Sequence, residues 1–266
     1  MTYTVNCSIL LTELPLLERP AAAKAAGFDA VEFWWPFENS VPSDAETTEF
    51  ENAIKNAGVQ LTGLNFNAGN MPGGDRGLVS WPARSTEFQD NIDVVAGIGE
   101  RLGCKAFNAL YGNRVDGEPA EKQDAIGAEN LAAAAAGVAR IGGTVLLEPV
   151  SGAPKYPLLT AEDALKVIAR VKAESGVKNI KLLADFYHLA VNGDDVESVI
   201  ENHAKDFGHI QIADNPGRGA PGTGQLPLGE WIARSRELGY DGYIGLEYKE
   251  PAETAFSWAI REHASR

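Results

Sequence analysis

Short runs rich in β-branched and aromatic residues alternate with longer amphipathic stretches from one end of this chain to the other. Strands joined in this way lie parallel, because a parallel pair needs a long crossover connection, usually a helix. Eight strand-like segments in 266 residues predict a closed (β/α)8 TIM barrel, with a doubly wound eight-stranded sheet as the alternative. The predicted strands are Thr4–Leu10, Ala30–Trp35, Gln60–Phe66, Lys105–Tyr111, Thr144–Val150, Ile180–Phe186, Phe207–Ala213 and Gly242–Glu247.

The segments between the predicted strands have apolar residues at helical spacing. Ser85–Leu102, Ala120–Ile141 and Ala161–Ala173 are three of these predicted helices, and Thr160 is placed to cap the last one. Glycine is favoured just after a helix, where the backbone turns left-handed. Glycines of this kind follow the helical stretches at Gly27, Gly58, Gly103, Gly176 and Gly239.

The bulk composition is that of an ordinary globular enzyme, with 44% hydrophobic and 23% charged residues. A formal net charge of −14 argues against a nucleic-acid partner, because phosphate binding needs clustered lysine and arginine. No apolar run reaches the roughly 18 residues of a membrane span and no secretion signal is evident, so we expect a cytoplasmic location. No linker divides the chain, which predicts one TIM-barrel domain over residues 1–266. Cys7 and Cys104 lie in apolar segments and are expected to be buried thiols rather than a disulfide.

An oxygen-bearing side chain ends each of the last four predicted strands: Glu148, Asp185, Gln211 and Glu247. Each one follows an apolar strand core. The four strands are neighbours around a barrel, so their C-terminal ends lie side by side at its mouth, where barrel active sites form. We therefore expect the four side chains to converge, although any one acid at a strand end can instead be a helix N-cap or a surface charge.

Three carboxylates brought together repel one another, which raises their pKa values unless a cation lies between them. The four strand-end residues offer oxygen ligands, with no cysteine and no obligatory histidine. Such a set favours a hard divalent ion, Mg2+ or Mn2+, over Zn2+. The sequence thus predicts a metal site with Glu148, Asp185, Gln211 and Glu247 as ligands.

Three further groups lie near these ligands in the sequence: His188, Arg218 and Lys249. Three carboxylates and one divalent ion leave about one negative charge, so a carboxylate substrate needs cations beside it, and arginine suits a bidentate contact. The alternative for a lone histidine or arginine in a loop is a surface group. The long, glycine-rich loops Asn67–Ala83 and Asp214–Leu226 follow predicted strands and are candidate lids.

Several other residues of the predicted strands have two interpretations each. Glu32 is either a partner of the metal ligands or a buried salt-bridge acid. His209 lies two residues before Gln211 on the same strand face and is expected deeper in the barrel as a hydrogen-bonding core residue. Trp34 and Trp35 end predicted strand 2, where they either wall the pocket or pack in the core.

Segments over nearly the whole chain resemble the hydroxypyruvate isomerase family. The most specific of these is GHIQIADNP at Gly208–Pro216, together with the loop that follows it. The other matching segments are Gly27–Phe33, Gly74–Gly77, Leu147–Pro149, Asp185–His188, Arg218–Gly219, Pro221–Gly224 and Glu247–Lys249.

The resemblance implies a xylose isomerase-like TIM barrel that binds a divalent metal through the same four strand-end residues. It also implies that Glu148 and Glu247 are the proton-transfer pair. Gln211 points to the hydroxypyruvate isomerase branch, because the related epimerases usually carry histidine at that ligand position. Together with the charge argument, the resemblance predicts four substrate-binding residues: His188, Arg218, Lys249 and Asn65.

The chain departs from the family pattern around Asn65. The family has histidine just before this asparagine and proline two places after it, and Leu64 and Asn67 stand at those positions here. We therefore expect the distal end of the substrate to be bound differently.

The reaction implied by the resemblance interconverts hydroxypyruvate and tartronate semialdehyde, or isomerises a 2-oxo-tetronate, through an enediolate handled by two glutamates. The expected partner is thus a small sugar acid. A ketose 3-epimerase of the same superfamily and a non-catalytic sugar-binding barrel are the alternatives. Barrels of this type often form homo-oligomers, and the tryptophans are candidate interface residues.

Overall fold

The computed structural model describes residues 2–259, so the two ends of the predicted domain, residue 1 and residues 260–266, lie outside the described part. Its eight parallel strands form a closed barrel in chain order. The pairing of Tyr3 with Ile244 joins the last strand to the first, which confirms the barrel over the doubly wound sheet. The strands are β1 Tyr3–Asn6, β2 Ala30–Phe33, β3 Gln60–Asn65, β4 Ala106–Asn108, β5 Thr144–Leu147, β6 Ile180–Asp185, β7 Phe207–Ile212 and β8 Ile244–Leu246.

The helices between the strands surround the barrel. The α-helices in the described part of the chain are α1 Arg19–Ala25, α2 Asp44–Ala57, α3 Ser85–Leu102, α4 Ala120–Ala139, α5 Ala161–Ser175, α6 Phe186–Val191, α7 Val196–His203 and α8 Leu228–Glu237. Short 3-10 turns cover Leu16–Glu18, Pro82–Arg84 and Ala204–Asp206.

Sequence signals at the helix ends are confirmed. The hydroxyl of Thr160 accepts a hydrogen bond from the backbone N–H of Asp163 at 3.2 Å, and the Asp163 carboxylate accepts from the Thr160 N–H at 3.0 Å. This reciprocal pair satisfies two donors that the first turn of α5 would otherwise leave free. Gly58, Gly103 and Gly176 end their helices in the left-handed conformation.

The predicted strands begin close to the observed ones but extend too far at their C-terminal ends. The first strand stops at Asn6 rather than Leu10, and β5 stops at Leu147, one residue before Glu148. The backbone leaves the sheet there because the loops at this end must open outward to build the mouth of the barrel.

The hydrophobic core lies between the strands and the helices. The outward faces of the strands supply it, for example with Val31, Phe107 and Ile210, which are essentially inaccessible to solvent. Cys7 and Cys104 are buried in it as free thiols, as predicted. Within residues 2–259, no helix combines the length and the apolar character needed to cross a membrane. The barrel interior is by contrast polar toward its C-terminal end, and that end holds the candidate site.

Candidate active site

The four predicted ligands lie together at the C-terminal mouth of the barrel. Glu148 directly follows β5, Asp185 ends β6, Gln211 is the penultimate residue of β7, and Glu247 directly follows β8. Parallel pairing aligns Asp185 with Gln211 on adjacent strands, which directs both side chains to the same face. All four are at least 95% buried, so these polar groups face the interior of the protein and not bulk water.

Three of these residues form one cluster with a histidine. One carboxylate oxygen each from Glu148, Asp185 and Glu247 and one ring nitrogen of His188 all lie within 4.8 Å of one another. The convergence of the three carboxylates, expected from their strand-end positions, is therefore observed. His188 joins them because it lies on the first turn of α6, directly above the Asp185 terminus of β6.

The clustered carboxyl groups have raised pKa values. Burial raises the pKa of Glu148 well above its usual range, and the nearby charges of Glu247 and Asp185 raise it further. Burial also raises the pKa of Glu247 to about 7, against the lowering effect of Arg218. The pKa of Asp185 is raised by burial as well, again opposed by Arg218. Packing three acids in a water-poor site is costly unless a cation or protons balance them.

Two buried oxygens of the predicted ligands fit a metal ion. Asp185 Oδ1 accepts hydrogen bonds from the backbone N–H groups of Tyr187 and His188, at 2.8 and 3.3 Å. Asp185 Oδ2 and Gln211 Oε1, however, have no hydrogen-bond donor among the residues that the structure describes. Unsatisfied buried oxygens are rare in folded proteins, and a bound cation is one of the groups that can satisfy them. The donor set is therefore suited to a hard divalent cation.

His188 presents an N–H group to this cluster and not a lone pair. The backbone N–H of Ser151 donates to His188 Nδ1 at 3.0 Å, and because a backbone nitrogen can only donate, Nδ1 must be unprotonated. Burial, with smaller contributions from charged neighbours, lowers the pKa of His188 to about 3, so the ring is neutral. The proton of a neutral ring then lies on Nε2, 3.6 Å from Asp185 Oδ2 and 3.9 Å from Glu148 Oε1. Gln211, not His188, is therefore the better fourth ligand.

Glu247 is held from three directions. Arg218 Nη2 donates to Oε2 at 2.8 Å, and Arg218 Nε donates to the Glu247 backbone carbonyl at 3.3 Å. Trp34 Nε1 donates to Oε1 at 2.6 Å, and Asn6 Nδ2 donates to the same oxygen at 3.2 Å. These contacts place Trp34 in the wall of the site, which decides between its two interpretations. They also fix the Glu247 carboxylate in one orientation.

Glu148 is held on one side only. Its Oε2 accepts a hydrogen bond from Asn108 Nδ2 at 2.7 Å. No hydrogen bond from residues 2–259 reaches Oε1, although His188 Nε2 lies 3.9 Å from it. Glu148 also lines the large cavity above the cluster. One oxygen of Glu148 is thus anchored and the other is available to a bound molecule.

Glu32 is buried and proves to be a partner of a predicted metal ligand. Its Oε1 accepts hydrogen bonds from Gln211 Nε2 at 2.7 Å and from Asn6 Nδ2 at 3.1 Å. Its Oε2 lies 2.7 Å from Nε2 of His209, which occupies the deeper position expected for it. Glu32 therefore connects the barrel interior to a predicted metal ligand.

A cavity of about 1350 Å³ opens above the cluster. The β3–α3 and β7–α8 loops, predicted as lids, both contribute to its wall. Asn65, at the end of β3, is buried and lines it, whereas Lys249 lines it from an exposed position at the rim. Trp35 also lines the cavity, and its Nε1 donates to the Asn39 carbonyl at 3.0 Å.

Comparison with known proteins places this architecture in a family. The sequence profile of the xylose isomerase-like TIM barrels matches residues 20–263. The chain belongs to this family. A Streptomyces coelicolor relative provisionally named a hydroxypyruvate isomerase is 53% identical over 96% of this chain and 94% of its own length. The Escherichia coli hydroxypyruvate isomerase is 31% identical, with coverage of 96% and 95%.

Other proteins similar to this xylose isomerase-like barrel are named for different activities. The 2-oxo-tetronate isomerase of Cupriavidus necator is 31% identical over 95% of this chain and 94% of its own. A crystal structure from Brucella melitensis, described as an AP endonuclease of family 2, superimposes with a TM-score of 0.86 at 28% identity, covering 97% and 98% of the chains. A D-psicose 3-epimerase superimposes with a TM-score of 0.74 at 20% identity, covering 93% and 85%, and shares the fold.

The curated relatives are isomerases, so this xylose isomerase-like barrel is an enzyme of the isomerase class and not a non-catalytic binding barrel. Three residues that orient its site were not predicted from the sequence: Asn6, Asn108 and Ser151. Asn6 and Asn108 end β1 and β4, so the strand-end rule that found the acids could have found them too. Ser151 contacts His188 only because the β5–α5 loop meets the first turn of α6, and no local pattern marks it.

Proposed function

We propose that this isomerase interconverts hydroxypyruvate and tartronate semialdehyde, two three-carbon acids that differ in which carbon carries the carbonyl. The observation that carries the proposal is the pair Glu148 and Glu247, buried within one cluster that faces a large cavity. The 53% identity to the Streptomyces coelicolor relative supports the choice of substrate. A 2-oxo-tetronate, one carbon longer, is the second candidate, and the Cupriavidus necator relative supports it.

The proposed metal is Mg2+ or Mn2+, held by Glu148, Asp185, Gln211 and Glu247. The unsatisfied oxygens of Asp185 and Gln211 support this assignment. When bound, such an ion supplies Lewis-acid polarisation of neighbouring oxygens, which acidifies the adjacent C–H bond.

Two glutamates move the proton in the proposed mechanism. Glu148 Oε1, the oxygen without a hydrogen bond from the described chain, removes the proton from C3 of hydroxypyruvate. The electrons form an enediolate across C2 and C3, and a proton delivered to C2 completes the isomerisation. Glu247 assists at the other carbon, where Arg218, Trp34 and Asn6 hold its carboxylate. Atoms balance without a co-reactant, since one proton moves from C3 to C2 and one moves from the C3 hydroxyl oxygen to the C2 oxygen.

His188 stabilises the charge that develops on the substrate oxygen. Its Nε2–H faces the cluster, and the Ser151 N–H prevents the ring from presenting the other tautomer. A neutral donor held in place before the reaction stabilises a forming enediolate without having to reorganise. This role is that of an oxyanion donor and needs no change in the protonation of the ring.

A nucleic-acid substrate is not part of the proposal, despite the name of the Brucella melitensis structure. The net charge of −14 opposes binding to a phosphate backbone. The likeness to the D-psicose 3-epimerase, at 20% identity, shows the fold and does not favour epimerisation.

The decisive experiment follows the proton in D2O. Protein loaded with Mn2+ is incubated with hydroxypyruvate, and deuterium is located by NMR. Isomerisation through an enediolate places deuterium on C2 of tartronate semialdehyde and, as the reaction reverses, on C3 of hydroxypyruvate. The variants Glu148→Gln and Glu247→Gln should retain the fold and lose exchange. No product and no exchange with either hydroxypyruvate or a 2-oxo-tetronate, in folded and metal-loaded protein, would contradict the proposal and favour a ketose epimerase.

A further inference from the structure

The arginines that line the active-site cavity differ in which acceptors their N–H groups already bind. Arg218 directs its Nε and Nη2 to Glu247, so the edge of its guanidinium that pairs best with carboxylates is occupied. Arg84 uses the same edge on the Glu87 carboxylate, at 2.7 Å from both nitrogens, and its Nη1 contacts Asp75. Both arginines therefore have their side-on Nε–Nη2 edge occupied by a glutamate. The contact expected from Arg218 to the substrate therefore stays a prediction for its other edge, because Nε and Nη2 already bind Glu247.

Arg76 is instead held through Nη1, and its side-on edge is free in the described part of the chain. Its Nη1 donates to the backbone carbonyls of Met71 at 2.9 Å and Asp75 at 2.6 Å, which uses both hydrogens of that nitrogen. Its Nε and Nη2 have no acceptor within residues 2–259. These two nitrogens form the side-on edge that matches the two oxygens of a carboxylate. The loop carbonyls thus hold Nη1 of Arg76 and leave its Nε–Nη2 edge without an acceptor from the described chain. This arrangement suits the binding of an anion.

The backbone around Arg76 is firmly placed. The N–H of Gly77 donates to the Ala68 carbonyl at 3.0 Å, and Asn113 Nδ2 donates to the Gly74 carbonyl at 2.9 Å. Gly77 has a φ of +117°, and a Cβ added there would lie 1.9 Å from the Leu110 carbonyl oxygen. The β3–α3 loop therefore rests directly on the β4–α4 loop, and the position of Arg76 is fixed before any ligand binds.

Arg76 also belongs to the same cavity as the reacting groups. It lines the cavity together with Glu148, His188 and Arg218. Its charge is close enough to contribute, after burial and Arg218, to the lowered pKa of His188. Lys249, the remaining cation of the lining, lies exposed at the rim and has a single flexible ammonium group in place of a planar edge.

We propose that Arg76 binds the carboxylate of the substrate through its free Nε–Nη2 edge and thereby makes the enzyme specific for sugar acids over neutral sugars. This inference rests on the proposed function, since it supplies the cation that a carboxylate substrate requires. It assigns Arg218 a different task, the orientation of Glu247. The substrate is thus held at its carboxylate end by the β3–α3 loop, while the carbons that exchange a proton lie over the carboxylate cluster.

The test compares Arg76→Met with Lys249→Met, which removes one positive charge from the same cavity. With hydroxypyruvate, Arg76→Met should raise KM roughly 10- to 100-fold, the loss expected for a charge-assisted hydrogen-bonded pair. Lys249→Met should raise KM only about 3-fold, because an exposed cation at the rim contributes less to binding than a bidentate pair. Arg76→Lys should raise KM nearly as much as Arg76→Met does, because the point charge of lysine cannot reproduce the planar edge of the guanidinium. A KM effect for Lys249→Met larger than that for Arg76→Met would overturn the assignment.

A binding measurement separates this inference from the proposed function. D-glycerate carries the carboxylate and cannot isomerise, so its affinity for the Mn2+-loaded protein can be measured by calorimetry without turnover. Arg76→Met should weaken glycerate binding by the same factor as KM, while Mn2+ affinity and the thermal midpoint stay those of the wild type. Unchanged glycerate affinity in Arg76→Met contradicts the role of Arg76. A wild type that binds glycerate through Arg76 but does not isomerise hydroxypyruvate or a 2-oxo-tetronate contradicts the proposed function alone.

Guanidinium rescue tests whether Arg76 acts by direct contact. Arg76→Ala leaves a space that free guanidinium can enter, so millimolar guanidinium chloride should restore part of the glycerate affinity. Methylammonium at the same concentration should restore less, because it has no planar edge. Equal effects of the two salts would show that Arg76 supports the loop and does not bind the carboxylate.

Discussion

The side-chain nitrogen of Gln211 donates to Glu32 Oε1 at 2.7 Å, and this contact decides which end of the Gln211 amide faces the carboxylates. The amide oxygen then points away from Glu32 and has no partner within the described residues. The pair is tightly enclosed by β8, since a Cβ on Gly245 would lie 2.7 Å from Gln211 Cγ and 2.8 Å from Glu32 Oε1. Glu32 is therefore a positioning residue for a metal ligand.

Replacing Glu32 with Gln should weaken metal binding. Gln211, Asn6 and His209 converge on the two Glu32 oxygens, and a glutamine offers only one oxygen and adds a competing donor. We expect Mn2+ affinity to fall about 10- to 100-fold, as for other groups that orient metal ligands. Calorimetric titration with Mn2+ measures this. Glu51→Gln is the matched control, since Glu51 is a similarly buried acid that lies on α2, away from the mouth, and pairs with Arg101 of α3.

Replacing Trp34 with Phe should lower kcat. The change deletes the Nε1–H that donates to Glu247 Oε1 at 2.6 Å and keeps most of the aromatic packing. Loss of a hydrogen bond to a charged group predicts a drop of roughly 10-fold in kcat, measured in steady-state assays with hydroxypyruvate. Trp35→Phe is the control, because Trp35 lines the same cavity but donates to the Asn39 carbonyl. Equal losses in the two variants would argue against a specific role for the contact with Glu247.

Metal-free protein should lose stability as the pH rises. The pKa of Glu247 is raised by burial from 4.5 to about 7, so the folded state binds its proton more tightly than the unfolded state does. The stabilisation is complete below about pH 4.5 and is lost as the pH rises through 7, a change on the order of 3 kcal/mol for this group. Urea unfolding of metal-free protein at pH 5 and pH 8 measures it. Glu247→Gln should show a smaller pH dependence between these values.

Metal binding should stabilise the protein more at high pH than at low pH. A divalent ion replaces the protons on the clustered carboxyls, so the gain in unfolding free energy on adding Mn2+ should be larger at pH 8 than at pH 5. Thermal unfolding with and without a chelator gives the comparison. A metal effect that is the same at both pH values would show that the metal does not bind at the carboxylate cluster.

Replacing Gly77 with Ala should displace the β3–α3 loop. The new Cβ would lie 1.9 Å from the Leu110 carbonyl, a clash with backbone that rotation of a side chain cannot relieve. We expect a loss of about 1–3 kcal/mol in unfolding free energy and a rise in KM as Arg76 moves. Gly74→Ala is the control for backbone strain, because Gly74 has a similar φ of +108° but open space around it. Similar losses in both variants would mean that strain, and not the close contact, accounts for the effect.

Sequence alone determined the eight strand–helix units and the positions of the acids, because both depend on local periodicity, whereas the pairing of Tyr3 with Ile244 decided that the sheet closes. Alternating strand and helix patterns predicted the closed parallel sheet, and parallel strands place Glu148, Asp185, Gln211 and Glu247 at one end whatever the details of the loops. The family resemblance pointed to the same four residues and to an isomerase. Strand-end placement was also enough to predict that the three carboxylates would meet.

Tertiary structure alone decided how each group is used. Arg218 and Arg76 are both loop arginines in the sequence, yet Arg218 has its bidentate edge on Glu247, whereas the same edge of Arg76 is free. The tautomer of His188 depends on Ser151, and the orientation of Gln211 depends on Glu32, partners that are 37 and 179 residues distant along the chain. Hydrogen bonds between such distant segments depend on which strands, helices and loops the folded barrel brings together, and no local pattern in the chain encodes them.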